Sequence, residues 1–279
     1  MNRTPFMDLQ AQYESGREKI NNRIQTVLDH GKYVMGPEVR ELEERLEKLS
    51  DVKHCITVGS GTDALLISLM ALEVGPGDEV ITTPFSFVST VEVIVLLGAK
   101  PVFVDIEPDT CNIDANQIEA KITDQTKAII PVSLYGQPSD MDTINSIAER
   151  NDNLPVLEDA AQSYGATYKG RKSSNLSTVG CTSFFPSKPL GCYGDGGAIF
   201  TNDGYVANTC REIRIHGQSS RYTHSRVGIG GRMDTIQCAV ILAKLEWFHL
   251  DLQRRIDIGK EYNNLLDEYD VSRIAQKSD

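Results

Sequence analysis

The sequence predicts an α/β fold, a mainly parallel sheet with helices on both faces. Two observations carry this. From residue 54 to about 200, short apolar runs rich in Val and Ile alternate with amphipathic stretches of helical period. The apolar runs are also bounded by Gly, Pro or Asp, the punctuation of buried strands.

Strands are expected at 54–58, 79–83, 101–105, 127–134 and 154–159. Helices are expected between them at 62–72, at 88–97 with Gly98 as C-cap, at 114–122 and at 139–150. Two helices precede the sheet. The second starts at Pro37 and places Val39, Leu42, Leu46 and Leu49 on one apolar face. Residues 179–185 and 197–202 read as an antiparallel strand pair at one side of the sheet. A helix follows at 233–247, and the last thirty or so residues are helical and polar. The boundary of the large domain falls at 245–255, giving a unit over 1–250 and the start of a second over 251–279.

The chain has 279 residues, long enough for one large domain and part of another. With 40% hydrophobic and 24% charged residues it has an ordinary globular composition. A net charge of -11 argues against nucleic acid and anionic membranes as partners. Six scattered cysteines form no CxxC pair and no zinc spacing, and they read as reduced thiols of a cytoplasmic protein. The opening residues lack a signal-peptide core, and no run reaches the roughly 18 apolar residues of a spanning helix.

Four segments could carry chemistry. Gly59-Ser60-Gly61-Thr62-Asp63-Ala64 follows a strand and opens a helix, so backbone N–H groups and the helix dipole can meet a phosphate. The same pattern fits a dinucleotide turn, but the acid expected at the end of the next strand is replaced by Thr82-Thr83-Pro84. A plain tight turn is the third reading. Leu157-Glu158-Asp159 closes a buried strand, where an aspartate needs a cationic partner such as a protonated pyridine nitrogen. A helix N-cap or a metal ligand is the alternative there.

Phe184-Phe185-Pro186-Ser187-Lys188-Pro189 sets a lysine in an apolar, glycine-flanked segment, with Gly194-Asp195-Gly196-Gly197 beyond it. Desolvation favours the neutral amine that Schiff-base chemistry requires. In Phe85-Ser86-Phe87, one aromatic ring could stack on a planar group, with Phe85 expected in the core.

Taken in order, these segments resemble the DegT/StrS sugar-nucleotide aminotransferases, from Phe6-Met7-Asp8-Leu9 through Gly36-Pro37-Glu38 to Arg232-Met233-Asp234-Thr235-Ile236-Gln237. The resemblance implies the aspartate-aminotransferase fold (fold type I) and pyridoxal 5'-phosphate as cofactor. It implies Lys188 as the Schiff-base lysine and proton carrier, Asp159 on the pyridine nitrogen, Gln162 on the ring hydroxyl and Phe87 stacked on the ring. Gly61, Thr62 and Ser183 would bind the phosphate. A histidine in place of Lys188 would instead have implied a dehydratase on the same fold.

The resemblance further implies a homodimer with shared sites, glutamate as donor and a UDP-linked 3-oxo sugar acid as acceptor, in bacterial O-antigen synthesis. The acceptor rests on the wording of Ile130-Pro131-Val132-Ser133-Leu134-Tyr135-Gly136-Gln137 and Asn175-Leu176-Ser177-Thr178. Arg221, Tyr222, His224 and Arg226 form a cationic loop that could meet a diphosphate or a uronate, or tie the loop to a neighbouring subunit. Two departures stand out. Gly230 occupies the place of a family Asn that reaches the partner's cofactor phosphate, a contact of roughly 1.5–3 kcal/mol. The chain also stops at Asp279, short of a complete small C-terminal domain, so a truncated remnant without turnover is the alternative reading. A dinucleotide-dependent sugar oxidoreductase is the third.

Overall fold

The structure is a computed structural model, and residues 7–277 are described. Phe6, which opens the resemblance, lies outside them, as do Met1 to Pro5 and Asp279. Two helices come first, α1 (Leu9–His30) and α2 (Pro37–Ser50). The core then alternates β1 (His54–Val58), α3 (Gly61–Ala71), β2 (Glu79–Thr82), α4 (Ser89–Leu96), β3 (Lys100–Phe103), β4 (Thr126–Ile129), α5 (Met141–Arg150) and β5 (Leu157–Asp159). A small hairpin, β6 (Thr167–Tyr168) and β7 (Arg171–Lys172), precedes β8 (Val179–Ser183) and β9 (Gly197–Thr201). The chain continues through α6 (Gly204–Arg214), the hairpin β10 (Gln218–Ser220) and β11 (Thr223–His224), then α7 (Thr235–Lys244) and α8 (Phe248–Glu268).

The strands β3, β2 and β4 pair in parallel, and single parallel bridges (Ile129 to Val156, Val132 to Asp159) carry the array on to β5. From there β5 pairs in parallel with β8, and β9 lies antiparallel between β8 and β1. The sheet is therefore mainly parallel, as expected. The antiparallel pair does not form its margin, because β1 returns to close that side.

Both faces are covered, which explains the near-continuous apolar runs. Ile56 and Val58 of β1 pack with Leu65, Ile67 and Leu69 of α3 and with Ile213 of α6. Cys55 points the other way, among Leu42, Leu46, Phe200 and Val240, beneath α1, α2 and α7. A third cluster, with Ile81, Ile129, Met141 and Ile144, seats α5.

Four local expectations are corrected. Leu49 is 40% exposed, so the buried stripe of α2 is Val39, Leu42 and Leu46. The segment 114–122 forms two short 3-10 turns, Ala115–Gln117 and Glu119–Lys121, because Asp114 takes Asn116 N–H and Gln117 Nε2 rather than starting a full helix. Phe85 is 45% exposed and lies outside the core. The helix expected at 233–247 is shorter, Thr235–Lys244, and α8 begins anew at Phe248. None of the described helices is long and apolar enough to cross a membrane.

Candidate active site

The carboxyl ends of β5 and β8 and the N-terminus of α3 open on one cavity of about 440 Å³. Its walls include Gly61, Thr62, Phe87, Asp159, Gln162, Ser183 and Lys188, the residues that the sequence brings forward for a cofactor. Thus a set scattered over more than a hundred positions meets at one place, at the strand ends where α/β sheets bind ligands.

Asp159 is placed by its neighbour. Successive strand residues face opposite ways, so Glu158 points into the protein and Asp159 into the cavity. Glu158 is fully buried and accepts from Ser133 Oγ, Ser173 Oγ and the Ser174 N–H at 2.7–2.9 Å. These bonds stitch the end of β5 to the loops on either side. Asp159 is 5% exposed; its Oδ2 accepts from Thr90 Oγ1 at 2.8 Å and its Oδ1 from the Ala161 N–H at 3.1 Å. Burial pushes its carboxyl up, against the opposing pull of Thr90, Ala161 and the charge of Lys188.

Lys188 sits at the apex of the loop that joins β8 to β9. Phe184 N–H donates to Gly196 O and Cys192 N–H to Phe184 O, both at 2.8 Å, closing the neck of that loop. Phe184, Leu190 and Cys192 are buried and anchor it, with Phe184 edge-on to Tyr164 at 6.3 Å. Lys188 N–H bonds Phe185 O at 2.8 Å, and the lysine lines the same cavity as Asp159. Half-burial lowers its ammonium from the usual range, and Asp159 opposes that shift.

The start of α3 supplies an anion cradle. Ser60 Oγ caps the Asp63 N–H at 2.9 Å, and the N–H groups of Gly61 and Thr62 have no acceptor within the helix. A Cβ on Gly61 would lie 2.7 Å from Ser183 Cβ, and one on Gly197 would lie 2.5 Å from Ser60 O. Glycine at both positions lets the turn, Ser183 and β9 come together. The glycine run after Lys188 therefore serves close approach.

Phe87 is 67% exposed and lines the cavity. Gln162 turns its Oε1 to the Tyr135 N–H at 2.9 Å, leaving its amide nitrogen for the cavity. Arg221, Tyr222 and His224 belong to the β10–β11 hairpin, Arg226 follows it, and none of the four lines this cavity. Arg226 Nε pairs with Glu212 at 2.7 Å, and the Arg221 guanidinium lies over the Tyr222 ring at 5.2 Å. Gly230 is exposed beside His216. Sequence reasoning missed Thr90, whose only signal is a hydroxyl within the apolar run 88–97, and gave no role to Asp195, which lines the cavity.

These residues fit pyridoxal phosphate. A buried carboxylate without an ion-pair partner among the described residues meets the need of a protonated ring nitrogen, and the helix start matches a phosphate. A lysine facing that carboxylate can hold an aldehyde covalently.

The fold and this lysine–aspartate cavity define a fold type I transferase. The chain belongs to the DegT/DnrJ/EryC1/StrS aminotransferase family, whose model matches residues 14–279. It is 58% identical over 92% of its length to the UDP-2-acetamido-2-deoxy-3-oxo-D-glucuronate aminotransferase of Pseudomonas aeruginosa, of which it spans 72%. Its structure superposes on S. venezuelae DesV in complex with a ketimine intermediate, with TM-score 0.93 and 39% identity, over 95% of this chain and 71% of that one. On NtdA of Bacillus subtilis with bound cofactor PMP the TM-score is 0.90 at 34% identity, over 96% of this chain and 61% of that one. The chain is a sugar aminotransferase of this family, and its cofactor is pyridoxal phosphate.

Proposed function

We propose that the chain moves an amino group from glutamate to a UDP-linked 3-oxo-N-acetylglucosaminuronate, in the cytoplasm, as a step toward a bacterial O-antigen or related polysaccharide. The observation that carries the reading is the meeting of Lys188, Asp159, Gln162 and the α3 cradle in one cavity. The 58% identity to the Pseudomonas enzyme favours the uronate among sugar acceptors.

When bound, pyridoxal phosphate supplies an electron sink for the carbanion formed at the donor's α-carbon. Lys188 Nζ would hold it covalently and, once released, would take up and give back the proton that moves at the donor's α-carbon. A lysine lowered by half-burial is suited to that work, since it sheds its proton closer to neutral pH. Asp159 would keep the ring nitrogen protonated. Gln162 would donate to the ring hydroxyl, Phe87 would cover one ring face, and Gly61, Thr62 and Ser183 would bind the phosphate.

Residues 1–250 would form the cofactor domain and 251–279 the start of a second unit. In a homodimer with shared sites, the β10–β11 hairpin would reach the neighbouring cavity, where Arg221, Tyr222 and His224 could meet the acceptor's diphosphate or carboxylate. Gly230 would leave one partner-phosphate contact unmade.

The test is spectroscopic. The protein loaded with pyridoxal phosphate should show a visible absorption band that glutamate abolishes and the UDP-3-oxo-uronate restores. A band indifferent to glutamate would support a cofactor-binding remnant instead. Restoration by the neutral 3-oxo-N-acetylglucosamine nucleotide alone would move the acceptor assignment to that sugar.

A further inference from the structure

Gln162 has two chemically different ends, and only one suits the cofactor. If its carbonyl oxygen faced the ring's ionised hydroxyl, two acceptors would repel; its amide must face the ring as a donor. The structure contains a device that decides between them. A backbone N–H can only donate, so the Gln162 atom 2.9 Å from Tyr135 N must be the oxygen. Gln162 Nε2 has no acceptor among the described residues, and Gln162 lines the cavity.

The Tyr135 N–H points this way because of an unusual turn. Tyr135 has φ 54° and ψ 20°, and Gly136 follows with φ 93°. Two successive left-handed residues are seldom adopted without surrounding support. Here the support is Asn112, which is 3% exposed. Its Oδ1 accepts from Leu134 N–H at 3.0 Å, and its Nδ2 donates to Gln137 O at 3.0 Å and Pro138 O at 3.2 Å. One side chain thus pins the turn just before and just after the left-handed pair. Asn112 is itself held, since its N–H donates to Thr110 Oγ1 and its carbonyl accepts from Glu107 N–H. From the other side, Ser133 N–H bonds Asp159 O, fixing the turn to the strand that presents the catalytic aspartate.

We propose that the Leu134–Gly136 turn, pinned by Asn112, is a positioning device that fixes which end of the Gln162 amide faces the cofactor. Asn112 does not line the cavity and acts through the Tyr135 N–H. The inference rests on the reading of Gln162 as the partner of the ring hydroxyl.

The experiment uses the full chain with pyridoxal phosphate and follows the pH titration of its visible band together with cofactor affinity. Gln162→Ala should displace the midpoint and weaken affinity on the order of tenfold, the loss of one hydrogen bond to a charged acceptor. Asn112→Ala should move both in the same direction, and in the Gln162→Ala background it should add almost nothing.

Additive effects, or an unmoved band in Asn112→Ala beside a moved one in Gln162→Ala, would overturn the device. An unmoved band in Gln162→Ala with the Lys188 adduct formed would overturn the role of Gln162 and the device with it. No covalent adduct in the unmutated protein would instead sink the cofactor reading as a whole. A measurement that leaves Asn112 intact guards against misfolding. Exchange of the Tyr135 amide hydrogen should quicken in Gln162→Ala, and an unchanged rate would also overturn the proposal.

Discussion

Thr90 Oγ1 donates to Asp159 Oδ2 at 2.8 Å, joining the first turn of α4 to the last residue of β5 behind the cavity wall. A hydroxyl so aimed stabilises the ionised carboxylate. It is the largest influence opposing the burial that pushes Asp159 up. With the Ala161 N–H on Oδ1, each carboxylate oxygen has one protein donor and a lone pair remaining for a ring nitrogen.

Thr90→Val keeps the shape and removes the donor. The Asp159 carboxyl then rises further, so its ionised form is lost at a higher pH as the solution is acidified. The acid limb of the kcat/KM profile should move to higher pH, and the plateau should fall roughly tenfold for a lost bond to a charged group. Steady-state rates across pH check this. A lower plateau with an unmoved limb would mean that Thr90 matters only for packing.

Lys188→Ala should abolish turnover while leaving the fold, because the loop is anchored by Phe184, Leu190 and Cys192 rather than by its apex. Loss of the proton carrier alone lowers the rate by roughly 10²–10⁴. Mass spectrometry after borohydride reduction gives the sharper reading: the unmutated chain should carry a covalent cofactor adduct and the variant none. A stable adduct surviving in the variant would place the reactive lysine elsewhere.

The phosphate cradle can be tested by volume. Gly61→Ala drives a methyl to 2.7 Å from Ser183 Cβ, so the first turn of α3 must shift away from Ser183. Overpacking of this kind costs about 1–3 kcal/mol, and the N–H groups proposed to bind the phosphate move with the turn. Cofactor affinity should fall by on the order of tenfold or more. The control is Gly75→Ala, where a Cβ meets nothing within 4 Å and affinity should be unchanged. Equal affinities in the two variants would show that the α3 start does not hold the phosphate.

Much of this architecture was legible because it obeys local rules. The strands carry Val and Ile between breakers, and Pro37 and Gly98 mark helix ends as their geometry requires. Lys188 and Asp159 could be singled out because a charge in apolar surroundings is costly unless it is used. What was hidden depends on contacts distant in sequence. Nothing local shows that Asn112 pins a turn at 134–138, or that Thr90 reaches Asp159 across 69 positions. Leu49 carries the right period for the α2 stripe, yet it is Ser50 that is buried at that end of the helix, against Tyr164, while Leu49 stays exposed. The 3-10 turns after Asp114 show the same limit, since side-chain capping there outcompeted a helical pattern.

Lys244 offers a last test, far from the reacting atoms. It is 3% exposed, and its Nζ donates to Gly191 O at 2.6 Å and Gln12 Oε1 at 2.9 Å while lying 4.4 Å from the Tyr193 ring centroid. It thereby ties the lysine-bearing loop to α7. Burial pushes its ammonium down to about 8, against the charges of Cys192 and Asp251. The folded value is below the unfolded one, near 10.5, so between these limits the unfolded chain binds more protons. Stability from this group should therefore rise with pH from about 8 to 10.5, and the cost of burying the charge should stand in full below 8. The span is on the order of 3 kcal/mol. Lys244→Met fills the same space without titrating, so its stability should lack this rise. Urea unfolding of both proteins at a series of pH values measures the difference, which should move toward the unmutated chain across that window. Parallel curves would show that the amine titrates in the folded protein as it does in the unfolded chain, because water reaches it.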